Sequence, residues 1–245
     1  MKAIILAAGV GRRLQPLTEI IPKPMLPING NPIIKQTLKL LSEHNISQIM
    51  VVTGYQQRKL RNFIDSVNCY NLEIEYIDQR EARGTGDALL KAKNFIDTRV
   101  IILAADTLFS AEHIIGMHEF HEEKGSDATL CLKRVSHDLI SRTSSVKLTD
   151  TGRITEIIEK PKKQQAPSNL AAALLHIYEP IVVDYLNKIS ISDRGEYELT
   201  DAIKMMINDD KLVSGKEFTT PPDMTDINDF FRLNFPYMNN YLSSK

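Results

Sequence analysis

The chain begins with the stretch MKAIILAAGVGRRLQ (residues 1–15), in which a short apolar run leads directly into a glycine-rich loop. Lys2–Ala7 is short, rich in isoleucine and followed by glycine, which is typical of a buried strand. Gly9 and Gly11 allow the backbone to approach a ligand closely and to turn its N–H groups inward. Because no small-residue cleavage signal follows the apolar run, we predict a first strand and not a signal peptide.

Basic residues close to this loop indicate that its ligand carries phosphate. Arg12 and Arg13 directly follow the second glycine and supply charge-assisted hydrogen-bond donors. Lys23 lies between Pro22 and Pro24, on a stiff loop that can hold an ammonium group in place with little loss of entropy. The two glycines alone would favour a plain strand-to-helix turn, but together with these basic side chains they favour a phosphate site.

Two common phosphate-binding loops do not match this stretch. A dinucleotide-binding loop needs a third glycine, where this chain has Leu14. A Walker loop needs Gly-Lys-Ser or Gly-Lys-Thr, which the sequence lacks. The loop is therefore expected to bind phosphate in another way.

Short apolar runs alternate with segments of helical period over the first half of the chain. The predicted strands there are Lys2–Ala7, Ile49–Thr53, Leu72–Ile77 and Val100–Ala104, and the predicted helices are Pro32–His44, Gln56–Val67 and Gly86–Phe95. After about Asp127 the predicted strands are Asp127–Val135, Ser145–Leu148, Ile154–Ile158 and Leu170–Tyr178, followed by helices at Pro180–Ile189, Glu198–Asn208 and Ile227–Asn234. We predict an α/β fold with a central, mixed but mostly parallel sheet flanked by helices, and a small antiparallel lobe that extends the same sheet.

The composition is ordinary for a globular protein, with 42% hydrophobic and 25% charged residues over 245 positions. The formal net charge of −1 provides no general basic field for a nucleic-acid backbone, so we expect no nucleic-acid partner. A local basic pocket can still hold a small polyanion. No apolar run approaches the length of a membrane span, and we expect a soluble cytoplasmic protein without a membrane partner.

Cysteine and histidine do not indicate a disulfide framework or a zinc site. Cys69 and Cys131 are far apart in the sequence and have no CxxC spacing. Cys131 lies in an apolar run, where a buried, inert thiol is expected. His118 and His121 lie about one helical turn apart, and we interpret them as part of an exposed helix face.

Two further segments place polar groups directly after predicted strands. Gln79 carries an amide that can pair with the edge of uracil or thymine, and Gly84 can let a flat base approach the backbone. Taken alone, Gln79 is more often a surface residue than a ligand. Asp106 follows the strand Val100–Ala104, and at the carboxyl end of a parallel strand it is expected to point into the crevice where α/β sheets bind ligands.

The glycine loop and the segment Pro-Lys-Pro-Met-Leu-Pro after it resemble the signature of the sugar-phosphate nucleotidylyltransferase family. The resemblance continues through much of the chain, and it is strongest to short members that make uridine- or thymidine-diphosphate sugars and lack a C-terminal β-helix. It implies a Rossmann-like nucleotidyltransferase fold and a Mg²⁺ cofactor. The implied reaction transfers a nucleotidyl group from UTP or dTTP to a sugar 1-phosphate, with glucose 1-phosphate favoured, and releases pyrophosphate.

The resemblance also implies roles in nucleotide binding and catalysis. Arg13 and Lys23 would be catalytic, because Arg13 would steady the triphosphate and Lys23 would neutralise charge near the α-phosphorus. The implied nucleotide-binding residues are Leu6, Ala8, Gly9, Gly11, Gln79, Gly84 and Thr85.

On the acceptor side, the segment Glu-Lys-Pro matches the family, and it implies that Glu159 meets sugar hydroxyls and Lys160 the sugar phosphate. Asp106 and Asp223 would hold Mg²⁺, with Asp226 as a rival for the second position. Two acids of the segment 194–203, Glu198 and Asp201, are interpreted mainly as structural residues at the start of a helix.

The chain departs from the family pattern at four places, and two alternatives to the implied reaction stay open. The departures are Arg12 in place of threonine, Ala105 and Leu174 in place of glycine, and Thr225–Ile227 in place of Gly-Thr-Pro. One alternative keeps the fold but uses CTP and an alcohol phosphate. The other is a non-catalytic homologue that binds a nucleotide sugar and regulates a partner subunit.

The polar loop over residues 162–169 is too short to be a domain linker, and the sequence shows no internal repeat. We therefore expect residues 1–245 to form a single nucleotidyltransferase domain, with a nucleotide-binding part over about 1–126 and a sugar-binding part over about 127–235. The sequence leaves open whether the chain forms a homo-oligomer.

Overall fold

The computed structural model describes residues 1–68 and 70–236. Cys69 and the end of the expected domain, residues 237–245, therefore lie outside the described residues. The strands are β1 Lys2–Ala7, β2 Pro27–Ile28, β3 Asn31–Pro32, β4 Gln48–Thr53, β5 Glu73–Asp78, β6 Val100–Ala104, β7 Ala128–Arg134, β8 Ser144–Leu148, β9 Ile154–Glu159, β10 Leu170–Tyr178 and β11 Val213–Glu217. The helices are α1 Leu17–Ile20, α2 Ile33–Glu43, α3 Gln57–Val67, α4 Thr85–Lys91, α5 Ala111–Lys124, α6 Val182–Leu186, α7 Leu199–Asn208 and α8 Ile227–Asn234.

A seven-stranded sheet in the order β11-β7-β10-β6-β1-β4-β5 forms the centre of the fold. β1 pairs in parallel with both β4 and β6, and β4 pairs in parallel with β5. β10 runs antiparallel to its neighbours β6 and β7, and β11 pairs in parallel with β7. The sheet is thus mixed but mostly parallel, and the predicted fold class is confirmed.

The prediction that the later strands extend the same sheet is correct for β7 and β10 but wrong for β8 and β9. These two strands form a separate antiparallel pair. Serine side chains link β8 to the neighbouring chain segments: Ser144 Oγ accepts a hydrogen bond from the backbone N–H of Ala172, and Ser145 Oγ donates to the backbone carbonyl of Ser168. Side-chain hydrogen bonds of this kind leave the backbone groups of β8 to pair with β9.

Apolar side chains of the central sheet pack on both faces, because successive residues of a strand point to opposite sides. Ile4 of β1 packs with Leu89 of α4 and Ile203 of α7 on one face. Ile5, its neighbour in the sequence, packs on the other face, in the cluster that includes Leu38 of α2. The sheet is therefore covered by helices on both sides, as an α/β fold requires.

A third, smaller cluster holds the glycine loop in place. Leu14 is fully buried there, together with Leu26, Ile28 and Met224. This explains why a leucine occupies the position at which a dinucleotide-binding loop has glycine. The side chain anchors the loop to the segment after it instead of allowing a close helix–strand contact.

The structure differs from the predictions at several places, and α6 is shorter than the predicted helix Pro180–Ile189. β11 was not predicted, and α4 ends at Lys91 before a short 3-10 turn over Lys93–Phe95. The interpretation of His121 as exposed is wrong: its side chain is 1% exposed, and its Nδ1 and Nε2 lie within hydrogen-bond distance of Thr129 Oγ1 and Glu179 Oε1. The structure thus places His118 alone of the pair on the exposed face of α5. No helix in the part of the chain that the structure describes is long and apolar enough to cross a membrane.

Candidate active site

Two adjoining cavities lie where the parallel strands β1 and β6 end. The first has a volume of about 350 Å³ and the second about 300 Å³. The residues that line both are Thr85, Ala104, Asp106, Glu159 and Leu174. The carboxyl ends of parallel strands are where α/β sheets bind ligands, so the position agrees with the crevice expected from the sequence.

The first cavity is lined by all seven residues expected to bind a nucleotide. These are Leu6, Ala8, Gly9, Gly11, Gln79, Gly84 and Thr85. A Cβ atom added to Gly9 would meet nothing within 4 Å, whereas one added to Gly11 would lie 3.0 Å from Thr18 Cγ2 and 3.3 Å from the side chain of Lys23. Gly11 also has a φ of +69°, a conformation that favours glycine. Gly11 therefore allows the side chain of Lys23 to pass directly over the loop.

Lys23 brings a positive charge to the wall of the first cavity. Its ammonium group forms an ion pair with the carboxylate of Asp106, and the two side chains are 15% and 36% exposed. Both residues line the first cavity. The structure thus joins the residue expected to neutralise the α-phosphate to a residue expected to hold a metal ion.

The structure does not bring Arg13 into either cavity. Arg12 and Arg13 lie in a 3-10 turn whose third residue, Leu14, is buried, and both arginine side chains are exposed. Neither arginine lines the first or the second cavity. A contact between Arg13 and a triphosphate would need a side-chain conformation other than the one in this structure.

Asp223 lies beside Asp106 because the backbone joins the two segments. Thr107 and Asp223 form an isolated antiparallel bridge, and Met224 N–H donates to the carbonyl of Asp106 over 3.0 Å. The carboxylate of Asp223 accepts a hydrogen bond of 2.7 Å from Lys133 Nζ. Asp106 and Asp223 both line the second cavity, each with a lysine partner.

Asp226, the rival of Asp223, has a different role in this structure. Its carboxylate caps α8 by accepting from the backbone N–H groups of Asn228 and Asp229. It lines neither cavity. These contacts favour Asp223 over Asp226 as the second acidic residue of the site.

The acidic residues suit Mg²⁺ only as part of a site whose remaining ligands come from substrate phosphates and water. No group of three or more His, Cys, Asp or Glu that could hold a metal ion occurs in residues 1–68 and 70–236. Mg²⁺ is, however, usually bound by one or two carboxylates together with substrate phosphates and water. Asp106 and Asp223, adjacent at the second cavity, fit that pattern.

Gln79 is 5% exposed, and its amide group has a defined orientation. Its Nε2 donates to the carbonyl of Gly84 over 3.0 Å and to Asp87 Oδ2 over 2.9 Å. Both partners are acceptors, so the amide nitrogen must face them and the amide oxygen must face the other way. Since Gln79 lines the first cavity, its oxygen is the group available to accept a hydrogen bond from a ligand there.

Gly84 makes a close backbone contact within the protein itself. A Cβ atom at this position would lie 2.4 Å from the carbonyl oxygen of Tyr197, and the φ of Gly84 is +105°. Tyr197 N–H donates to Arg83 O, and its carbonyl accepts from Gly86 N–H. The glycine is thus required for the contact between the segment before α4 and the segment before α7, in addition to lining the cavity.

Glu159 and Lys160 follow one another at the end of β9 and both line the first cavity. The ammonium group of Lys160 lies 3.9 Å from the carboxylate of Glu159, and Arg194 Nη2 lies 3.8 Å from the same carboxylate. Burial raises the pKa of Glu159, and the charges of Lys160 and Arg194 only partly oppose this effect. A carboxyl group in this environment is suited to hydrogen bonding with neutral hydroxyl groups.

Several polar or charged residues of the cavities escaped the sequence-based prediction of the site, among them Glu198, Glu196, Lys133 and His176. Glu198 begins α7 as expected, but it makes no side-chain capping bond; it forms an ion pair with Arg194 and lines the first cavity. Glu196 also lines the first cavity, and Lys133 and His176 line the second. Lys133 is the member of this group that a sequence signal could have revealed, because a lysine ends an otherwise apolar buried strand segment.

The departures from the family pattern lie at or beside the cavities. Ala105, which stands where the family has glycine, donates its backbone N–H to the carbonyl of Leu6 as a strand residue would. Leu174 lines both cavities. Within Thr225–Ile227, Asp226 supplies the cap of α8, so this helix begins without the proline of the family pattern.

Comparisons with known proteins agree with this geometry. The family model for nucleotidyl transferases matches residues 2–234. The bifunctional protein GlmU of Methanococcus maripaludis is 37% identical over 212 residues, which are 86% of this chain and 48% of that protein. The UTP--glucose-1-phosphate uridylyltransferase AglF of Haloferax volcanii is 32% identical over 213 residues, 87% of this chain and 86% of that protein. The chain spans about half the length of the GlmU relatives that it matches.

Among solved structures, a UDP-glucose pyrophosphorylase in complex with UDP-glucose superposes with a TM-score of 0.84. The match covers 100% of this chain and 99% of that protein at 24% sequence identity. At that identity the likeness establishes the fold.

Proposed function

This chain belongs to the nucleotidyl transferase family, and we propose that it transfers a nucleotidyl group from UTP or dTTP to a sugar 1-phosphate. The products are a nucleotide sugar and pyrophosphate. The observation that carries the proposal is the pair of adjoining cavities with Asp106 in the wall of both. Such an arrangement can hold a triphosphate and a second phosphate-bearing substrate next to one another.

The choice of UTP or dTTP is supported by the orientation of Gln79. Because Asp87 and the Gly84 carbonyl hold the amide nitrogen, the free amide oxygen requires a donor on the base. Uracil and thymine present their donor on this edge at N3–H, in the middle of the edge, whereas in cytosine N3 is an acceptor and the donor is the 4-amino group beside it. This difference favours UTP or dTTP over the CTP-dependent alternative.

The proposed chemistry is one in-line displacement at the α-phosphorus. A phosphate oxygen of the sugar 1-phosphate forms the new P–O bond, and the bond to the β-phosphate breaks, so that pyrophosphate leaves with its electron pair. Two anions must meet, so catalysis depends on positioning and on neutralising charge rather than on proton transfer. Lys23 would neutralise the α-phosphate, and Lys160, which lines the same cavity, would orient the attacking phosphate.

Arg13 would steady the leaving pyrophosphate. Its side chain is exposed, so this role requires it to turn toward the triphosphate. Asp106 and Asp223 would hold Mg²⁺, which when bound supplies additional positive charge to the two phosphates.

For the acceptor, we propose glucose 1-phosphate on the basis of the relative from Haloferax volcanii. Glu159 would bind hydroxyl groups of the sugar. We further propose that residues 1–245 act as one domain, with the nucleotide bound mainly by residues of about 1–126 and the sugar by residues of about 127–235. The residues that line both cavities come from the two parts of the chain: Thr85, Ala104 and Asp106 from the first part, and Glu159 and Leu174 from the second. This shared wall supports the division.

The test is pyrophosphate release by the purified chain in a matrix of nucleotides and acceptors, with and without Mg²⁺. UTP, dTTP and CTP would each be combined with glucose 1-phosphate, N-acetylglucosamine 1-phosphate and phosphocholine. Mg²⁺-dependent release with UTP or dTTP and a sugar 1-phosphate is the expected result. Release only with CTP and phosphocholine would establish the alcohol-phosphate alternative instead.

A calorimetric titration, added to the pyrophosphate assay, distinguishes an enzyme from a regulatory homologue. If the chain binds a nucleotide sugar in a calorimetric titration but releases no pyrophosphate from any pair, the catalytic proposal is wrong. Lys23→Ala should abolish release without abolishing folding, which circular dichroism would show.

A further inference from the structure

Lys133 is the one buried lysine or arginine in the part of the chain that the structure describes. It is the second-last residue of β7, it lies opposite Ala171 of β10, and it is 9% exposed. The five residues of β7 before it are buried and carry no charge. Since a buried ammonium group is costly unless its charge is paired, the partner of Lys133 indicates its role.

That partner is Asp223, one of the two carboxylates assigned to Mg²⁺ in the proposed function. Lys133 Nζ donates to Asp223 Oδ2 over 2.7 Å. Asp106, the other carboxylate, forms an ion pair with Lys23. Each acidic residue of the site therefore already has a positive charge beside it, supplied by the chain itself.

The two lysines differ in their surroundings. Lys23 belongs to a loop and is partly exposed. β7 lies between β10 and β11 in the central sheet, so the backbone of Lys133 is fixed from both sides. The buried side chain of Lys133 lines the second cavity. Its ammonium group therefore stays in the wall of this cavity when another cation approaches Asp223.

A divalent cation at Asp223 would share the carboxylate with the charge of Lys133. Like charges in a buried site repel strongly, because their surroundings screen them little. An anion in the second cavity would relieve the repulsion, since Lys133 could pair with it instead of with Asp223. A substrate phosphate is such an anion, and the cavity of about 300 Å³ has room for one.

We propose that Lys133 makes metal binding by this protein conditional on phosphate. In the free protein, Lys133 weakens the binding of a divalent cation to Asp106 and Asp223. When a phosphate enters the second cavity, Lys133 pairs with it and leaves Asp223 to the cation. The inference rests on the proposed function, since that function assigns the two carboxylates to the metal ion.

A purely structural role would mean that Lys133 only holds the segment of Asp223 in place. Backbone contacts already do this, because Thr107 and Asp223 form an antiparallel bridge and Met224 N–H donates to the carbonyl of Asp106. Met224 is also fully buried. None of these contacts involves Lys133, so its substitution should leave Asp223 beside Asp106.

The test measures Mn²⁺ binding by the purified chain, with Mn²⁺ as a spectroscopic substitute for Mg²⁺. Electron paramagnetic resonance reports free Mn²⁺, so it gives the dissociation constant without turnover, in the absence and presence of glucose 1-phosphate. Lys133→Met keeps the length of the side chain without its charge, and Lys133→Arg keeps the charge. Lys163→Met is the matched control, since Lys163 pairs with Asp138 at the surface and lines neither cavity.

Without glucose 1-phosphate, Lys133→Met should bind Mn²⁺ roughly fivefold or more tightly than the wild-type chain, the lower end of typical coupling between two sites. Glucose 1-phosphate should tighten Mn²⁺ binding by the wild-type chain about as much, but that of Lys133→Met by less than about twofold. Lys133→Arg and Lys163→Met should resemble the wild-type chain. Adding Asp223→Asn to Lys133→Met should cancel the gain in affinity, because the effect acts through that carboxylate.

The inference is overturned if Lys133→Met binds Mn²⁺ with wild-type affinity or more weakly, as a residue that only positions Asp223 would require. It is also overturned if Mn²⁺ binds to none of these proteins. Thermal unfolding would show that each variant is folded. If Lys133→Met is not, Lys133→Gln gives the same comparison, since it keeps a hydrogen-bond donor for Asp223 without the charge.

A failure of the proposed function gives a different pattern. If the wild-type chain releases no pyrophosphate from any substrate pair, but Lys133→Met still binds Mn²⁺ more tightly, then the proposed reaction is wrong and the role of Lys133 at the metal site stands. If pyrophosphate is released and Lys133→Met shows no gain in Mn²⁺ affinity, the reaction stands and the inference about Lys133 is wrong.

Discussion

The ammonium group of Lys23 donates a hydrogen bond to the carboxylate of Asp106, although 83 positions separate the two residues in the chain. They meet because β1 and β6 are paired in parallel, with Leu6 opposite Ala104, so that the segments following both strands emerge at the same edge of the sheet. Gly11 contributes by leaving room for the lysine side chain. The pair therefore depends on the sheet register, the glycine loop and the charge of both residues.

Removing either charge of this pair should abolish activity. Lys23→Met and Asp106→Asn are expected to lower kcat for pyrophosphate release by roughly 100-fold or more, the loss typical for one preorganised electrostatic contact. Lys39→Met is the matched control, since Lys39 pairs with Glu43 on the exposed side of α2. Steady-state assays would contradict the assignment if Lys23→Met or Asp106→Asn stayed within a few-fold of the wild-type kcat.

Asp87 should control which base the protein accepts. Asp87→Asn removes one of the two acceptors that hold the amide nitrogen of Gln79 and puts a possible donor in its place. Only the Gly84 carbonyl then opposes a turn of the amide that presents its nitrogen to the base. The ratio of kcat/KM for UTP to that for CTP should fall about tenfold, the equivalent of one hydrogen bond worth roughly 1.4 kcal/mol. Competition assays with both nucleotides measure this ratio. Asp97→Asn, at an exposed residue far from the cavities, should leave the ratio unchanged.

Alanine substitutions at Gly84 and Gly195 distinguish the cost of backbone strain from the cost of a steric clash. Both have a positive φ, but a Cβ at Gly195 would meet nothing within 4 Å, whereas one at Gly84 would lie 2.4 Å from Tyr197 O. Gly195→Ala should lower the free energy of unfolding by about 1–2 kcal/mol. Gly84→Ala should cost a further 1–3 kcal/mol or so, since backbone atoms must move. Equal losses in urea unfolding would show that the contact with Tyr197 is unimportant.

The burial of His176 should make stability fall in mild acid. Its pKa is lowered from 6.5 to about 3 in the folded protein, so below pH 6.5 the unfolded chain binds a proton that the native state does not. The free energy of unfolding therefore decreases as the pH falls between these two values, by about 1.4 kcal/mol per unit.

The variant His176→Phe isolates this effect. From pH 6.5 to pH 5 it should lose about 2 kcal/mol less stability than the wild-type protein. The two unfolding free energies would be compared by urea titration at each pH. Parallel pH profiles would show that the histidine is not neutral and buried in solution.

Local sequence patterns predicted a large part of the fold. The bounds of β1, β6, β10 and α8 agree with the predicted segments, because short apolar runs mark the three strands and helical spacing marks α8. α5 was harder to interpret because its buried face mixes His113, Gly116 and His121 with the apolar Ile114 and Met117. His121 is tolerated inside because Thr129 and Glu179 satisfy its ring nitrogens.

For the site, the amino-acid sequence alone led to Lys23 and Asp106, since a lysine between prolines and an aspartate after a buried strand are local signals. It also led to Gln79, but not to the direction in which the amide of Gln79 points. The tertiary structure decided that direction, the pairing of Lys133 with Asp223 and the absence of a partner for His176 Nε2 in the described residues. The physical reason is that strand and loop character depends on neighbouring residues, whereas the partners of a buried polar group depend on which distant segments the sheet register brings together.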